Sequence, residues 1–250
     1  MANIYFNGSF DRELESKYLT VYTNCINKEQ EAFLNEIDTS LNSAEIDEIK
    51  QTIEFGKSFS YGTRKVDEYY FSHALRIARL VYYNIRFKQL ENLLPEANGM
   101  SGFCSALRAA LIHNSFEKNL MSRQEFAAKF GQYYCDAVDF ITVDREAMKT
   151  REGVLAHYRK LATAPEWVLG MRALDKADNL LILHVNPDEQ VKKDYLLEIE
   201  NDLIPLLKKG QPELAALLAD ECAWAGKNKH HIPDEKELSE MKWSYLPYSA

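Results

Sequence analysis

Residues 103–116, FCSALRAALIHNSF, decide the fold, because they form a strongly apolar stretch in which Arg108 carries the only full charge. A run of this length without a polar face is typical of a helix that is buried on all sides. We therefore expect this segment to be the central helix of the protein.

Helical periodicity extends in both directions from this segment. Ser122, with Glu125 three residues later, predicts a helix start closed by a capping box. The N-terminal residues 1–24 contain the turn signal Asn7-Gly8 and favour either a short hairpin or an extended arm. Helices are predicted over 42–55, 67–93, 103–116, 123–141, 144–162, 165–184, 188–208 and 211–225.

The sequence thus predicts an all-α protein, arranged as one compact domain with three parts along the chain. Residues 1–58 would form the N-terminal arm and helical lead-in, 59–208 the core, and 209–250 the C-terminal helices and tail. The chain has 250 residues, which allows one large domain or two small ones, and we favour one because no linker is visible in the sequence.

Composition limits the classes of partner. Lys and Arg number 30 and Asp and Glu 38, which gives a net charge of −8. This balance argues against an extended nucleic-acid surface, which needs clustered cations. The four cysteines form no closely spaced pair, and neither a leader peptide nor a membrane span is visible. We expect a cytoplasmic protein with no membrane partner.

Three neighbourhoods place ligand-type polar side chains inside segments that should be core. The first contains His73, the second His113 with Asn114, and the third Asp175 with Asp178. A buried polar group must be hydrogen-bonded or bound to something. We therefore expect these side chains to be paired with one another or to bind a ligand.

These neighbourhoods resemble the HD-domain phosphohydrolases, and within them the RelA/SpoT-type guanosine polyphosphate hydrolase domain and its small stand-alone relatives. The resemblance covers about half of the chain, from Phe59 to Leu183. It rests on four segments, RKVDEYYFSHALRIARL (64–80), AALIHNSFEKN (109–119), FGQYYCDAVDFITVDRE (130–146) and MRALDKADNLL (171–181).

The resemblance implies a helical HD-domain bundle that hydrolyses a small phosphorylated nucleotide, for which guanosine polyphosphate is a candidate. It implies a divalent metal ion, with manganese favoured, and a catalytic glutamate at Glu117. Arg64 and Lys65 would contact the nucleotide base. The metal ligands implied are His73, His113, Asn114 and Asp178. Basic side chains at Lys118 and Arg159 suit the phosphates.

The sequence also departs from this family. Its metal-binding Asp is Asn114 here, the second acid of its Glu-Asp pair is Lys118, and the Asn four residues after its last Asp is Ile182. His73 and His113 are 40 positions apart, farther than in the stand-alone relatives, and the extra residues fall near 86–102.

These changes predict weak metal binding. They leave open whether the protein is an enzyme or an impaired HD-fold module that binds a nucleotide or a protein partner. The sequence makes no prediction of oligomeric state.

Overall fold

The computed structural model describes residues 30–58, 67–183 and 188–227. Within these ranges, the side chains of residues 67–70, 72, 181, 182 and 227 are not described. The predicted N-terminal hairpin or arm, Arg64, Lys65 and the C-terminal tail lie outside the described residues.

The described residues are helical, which confirms the all-α prediction, and they contain no strand beyond an isolated bridge between Ala97 and Met100. None of the helices that the structure describes has the length and apolarity to cross a membrane. The α-helices are α1 (30–37), α2 (Ser43–Ser58), α3 (Asp67–Phe87), α4 (Gly102–Leu111), α5 (Arg123–Phe130), α6 (Gln132–Ile141), α7 (Arg151–Leu161), α8 (Glu166–Leu183), α9 (Glu189–Glu198), α10 (Ile204–Leu207) and α11 (Pro212–Lys227).

The chain divides into two compact units. Tyr22–Val143 forms the N-terminal unit, and Asp144–Ala250 belongs to the C-terminal unit. The boundary between them falls inside the predicted core of 59–208, so that core is divided between the two units.

Helix α4 is the centre of the N-terminal unit, as the apolar segment predicts. All ten of its residues are buried, and it packs against α2, α3 and α6. Its single charge is compensated within the unit, because Arg108 pairs with Glu48 at 2.9 Å and donates to Thr52 at 3.1 Å. The guanidinium also lies over the ring of Phe130, 5.0 Å from its centroid.

The apolar segment leaves the α-helical conformation earlier than predicted, at Leu111 rather than 116. The next residues turn more tightly, since the amides of Ile112 and His113 bond the carbonyls three residues back. The Ser115 hydroxyl donates to the Ile112 carbonyl and competes with continued helix. These turns over 112–119, here called the post-α4 turns, end at Asn119 with φ of 54° and a Schellman pair of hydrogen bonds.

The single helix predicted over 123–141 is two helices. The capping box of Ser122 and Glu125 is confirmed. Gly131 then ends α5 with φ of 91°, a conformation that side-chain-bearing residues rarely adopt. A Cβ at this position would also lie 2.7 Å from the Cβ of Ala97. The chain therefore restarts as α6 from residue 132.

In the C-terminal unit, α8 packs against α11, and α9 continues through a π-helix at Ile199–Leu203 into α10. The helix predicted over 188–208 is thus one nearly continuous helical segment with a wider turn inside it. The described cysteines, Cys104, Cys135 and Cys222, are all free and buried.

Candidate metal centre

Two buried histidines meet in the N-terminal unit. His73 lies on α3 and is 2% exposed, and His113 lies in the post-α4 turns and is 4% exposed. Their ring centroids are 5.2 Å apart with an interplanar angle of 62°. The structure therefore brings together two of the side chains that the sequence singles out. Their imidazoles come from segments 40 residues apart in the chain.

The tautomer of His113 follows from its backbone contact. Its Nδ1 lies 2.7 Å from the carbonyl oxygen of Ala110. A carbonyl can only accept, so Nδ1 carries the proton and donates it. In the neutral imidazole this leaves the lone pair on Nε2, the arrangement found in most metal-binding histidines. Just past the end of α4, the Ala110 carbonyl thus accepts both from the backbone amide of His113 and from its ring.

The other predicted residues of this segment lie in the same post-α4 turns. Asn114, Glu117 and Lys118 are half-buried, between the buried core and the surface. One α-helical hydrogen bond survives here, from the Lys118 amide to the Asn114 carbonyl at 3.0 Å. His113 and Glu117 are thus one turn apart, although they do not lie on a continuous α-helix.

The carboxylates of the third neighbourhood lie on α8 in the C-terminal unit. Asp175 is 6% exposed and Asp178 is 4% exposed. Asp175 accepts hydrogen bonds from Arg172 at 2.8 Å and from Asn179 at 3.2 Å. His73 and His113 of the N-terminal unit and Asp175 of the C-terminal unit are buried side chains of the types that bind metal ions.

Asp175 is not among the metal ligands that the sequence predicts. Its signal is present in the sequence, since it stands with Asp178 in the same apolar helix. The predicted ligand Asp178 stays a prediction. The predicted phosphate contact Arg159 is exposed on α7, and its role also stays a prediction.

A second buried polar group lies within the C-terminal unit. Lys176 pairs with Glu198 at 2.8 Å, and both side chains are less than 5% exposed. The Tyr158 hydroxyl donates to Glu198 at 2.7 Å, and the Lys176 ammonium lies 4.0 Å from the centroid of the Tyr195 ring. Burial opposes ionisation of Glu198, but the charges of Lys176 and Arg172 and its hydrogen bonds hold its pKa below the usual value.

His157 on α7 belongs to the same surroundings. Burial lowers the pKa of His157 to about 3, and the positive charges of Arg172 and Lys176 act in the same direction, against a smaller opposing effect of Glu198. This imidazole is therefore neutral in the folded protein at neutral and mildly acidic pH.

His157 should make the protein less stable as the pH falls. In the unfolded chain its pKa is about 6.5, so between pH 6.5 and 3 the unfolded state binds more protons than the folded state. Stability is then lost as the pH falls through this window. At pH 5 we expect His157 to lower the free energy of unfolding by about 2 kcal/mol relative to pH 8. Urea denaturation of the protein and of His157→Gln measures this, and an equal pH dependence in both would contradict it.

No family model, curated protein or solved structure matches this chain.

Proposed function

We propose that this protein is a metal-dependent phosphohydrolase or pyrophosphohydrolase that acts on a nucleotide, with guanosine polyphosphate as the first candidate substrate. The observation that carries the proposal is the buried pair of His73 and His113, with ring centroids 5.2 Å apart. Burying two imidazoles in a core costs free energy unless their nitrogens are bonded, and a divalent cation would bind both.

The donor set fits a divalent metal ion. Imidazole nitrogens suit borderline transition metals, and a carboxylate adds a negative oxygen ligand that manganese accepts readily. We propose manganese, held by His73, His113 and Asp175. The Nδ1 contact of His113 with Ala110 at 2.7 Å supports this assignment, since it fixes the ring and directs the basic Nε2 to coordination. When bound, such an ion supplies Lewis acidity and a water of lowered pKa.

Asp175 also improves the resemblance to the HD-domain family. With Asp178 as the family's last Asp, the Asn expected four residues later is Ile182. With Asp175 in that role, the corresponding residue is Asn179, and its side chain donates to Asp175 at 3.2 Å. One of the departures then disappears. We therefore propose Asp175 as the carboxylate ligand and Asp178 as its alternative.

The remaining roles fall to an acidic side chain and to four basic ones. Glu117, one turn past His113, would hold and deprotonate the attacking water. Contacts with the nucleotide base would come from Arg64 and Lys65. The phosphates would be neutralised by Lys118 and Arg159. A small-molecule nucleotide partner in the cytoplasm is part of this proposal.

The second candidate function is a catalytically impaired module that binds a nucleotide or a protein partner through the same site. Asn114 and Lys118 favour it. An amide brings no negative charge to a cation, and a half-buried ammonium next to Glu117 opposes one. Both changes weaken metal binding, so weak affinity for manganese is expected in either case.

A nucleotide screen separates the two functions. The full chain would be incubated with manganese and a panel that includes guanosine polyphosphates, and release of phosphate or pyrophosphate would be measured. The hydrolase predicts turnover that is lost in His113→Ala. Among the matched acid variants, Asp175→Asn should lose more activity than Asp178→Asn. Nucleotide binding by the parent without any turnover would favour the binding module.

A further inference from the structure

We infer that Asn179 and Arg172 are positioning residues that orient the carboxylate of Asp175 for metal binding. This inference rests on the metal site proposed above. It concerns contacts along α8 alone and assigns to these two side chains a role that the metal ligands themselves do not have.

The geometry begins with helical spacing. Arg172, Asp175, Lys176 and Asn179 follow one another at intervals of three, one and three residues, so they share one face of α8. All four are at least 90% buried. A polar stripe of this kind inside a core is costly unless each member is paired. Each of these four side chains should therefore have a bonding partner.

Both oxygens of Asp175 are held by this stripe. Arg172 Nη1 donates to Oδ2 at 2.8 Å, and Asn179 Nδ2 donates to Oδ1 at 3.2 Å. One donor precedes Asp175 by three residues and the other follows it by four, so the carboxylate is bound from both sides along the helix. Two such bonds fix the torsion of the carboxylate far more tightly than one.

The second cation of the stripe has a different partner. Lys176 is 2.8 Å from Glu198 and is thereby engaged in an ion pair with α9. Along α8, Asp175 therefore accepts hydrogen bonds from a planar guanidinium and a neutral amide. These bonds remain compatible with an ion, because a carboxylate offers about four lone-pair sites.

Outer-sphere donors of this kind hold a ligand in its binding geometry, and their loss typically costs about 10- to 100-fold in metal affinity. Asn179 is the better residue to test, because its neutral side chain can be replaced by an apolar one of similar shape. Arg172 would leave Asp175 as an uncompensated buried charge if it were truncated.

The experiment is a titration of the full chain with manganese chloride alone, followed by the electron paramagnetic resonance of the free ion. Asn179→Leu removes the donor and keeps a side chain branched at Cγ, and we expect about a 10-fold or greater loss of affinity. Asn179→Ser retains a donor and should recover part of this loss. Tyr158→Phe is the matched control, since it removes one buried hydrogen bond to Glu198 without touching Asp175.

The outcomes distinguish this inference from the function on which it rests. Reduced affinity in Asn179→Leu, with Tyr158→Phe within a factor of two of the parent, supports it. Equal manganese affinity in the parent and Asn179→Leu overturns the positioning role and leaves the metal site standing. A parent that binds no manganese overturns both. The melting temperature of each variant without manganese shows whether a loss of affinity comes from a loss of stability.

Discussion

Replacement of His113 by alanine should lower the affinity of the protein for manganese by about 100-fold or more, because loss of a ligand costs at least as much as loss of an outer-sphere donor. His113 carries this effect since it is buried against His73 and its Nδ1 bond to Ala110 fixes the ring. Isothermal titration calorimetry with manganese chloride measures the change.

The matched control is His157→Ala, which removes a second buried histidine from the C-terminal unit. His157 is 9% exposed and lies beside Tyr158, with ring centroids 5.4 Å apart. Its removal should leave manganese affinity within a factor of three of the parent. Equal losses of affinity in the two variants would mean that metal binding does not depend on the His73–His113 pair.

The largest expected loss of stability comes from Lys176→Met, which leaves the Glu198 carboxylate buried without its ion-pair partner. Both side chains are less than 5% exposed, and breaking a buried pair from one side costs about 3–5 kcal/mol. Because the pair holds the pKa of Glu198 below its usual value, the lone carboxylate should instead take up a proton. The loss should therefore be larger at pH 8 than at pH 5.

A second substitution should reverse most of this loss. Glu198→Gln removes the buried charge while keeping an oxygen that can accept the hydrogen bond of Tyr158. The double variant Lys176→Met with Glu198→Gln is expected to unfold within about 1–2 kcal/mol of the parent, since neutral replacements of buried pairs are often well tolerated. Urea denaturation of the four proteins measures the coupling, and additive losses would contradict it.

The sequence predicts the helices of this protein better than their ends. The period of apolar residues follows the buried faces of α2, α3 and α8, because burial is what that period records. The end of α4 at Leu111 depends on hydrogen bonds of Ser115 and His113 to nearby carbonyls, and these compete with the helix through geometry that composition does not reveal. At Gly131, the glycine itself is the visible signal of a break.

For the candidate site too, the sequence predicts the buried residues better than their individual contacts. His73 and His113 stand out in the sequence as polar residues in apolar segments, and the structure brings them together. The choice between Asp175 and Asp178 is harder, since both are buried on α8. Asp175 accepts hydrogen bonds from Arg172 and Asn179, and these contacts support its choice as the proposed ligand. These residues are three and four positions from Asp175, so once α8 is known, the helical register predicts that they lie beside it.

The most direct test of the central claim is to identify the atoms that coordinate manganese. Pulsed electron paramagnetic resonance of the manganese-loaded protein, prepared with isotope-labelled histidine, detects nitrogen ligands through their nuclear couplings. We predict couplings from two histidine nitrogens in the parent and from one in His113→Ala at manganese concentrations that load the variant. Bound manganese without any histidine coupling, or no bound manganese at millimolar concentration, would contradict a metal centre at His73 and His113.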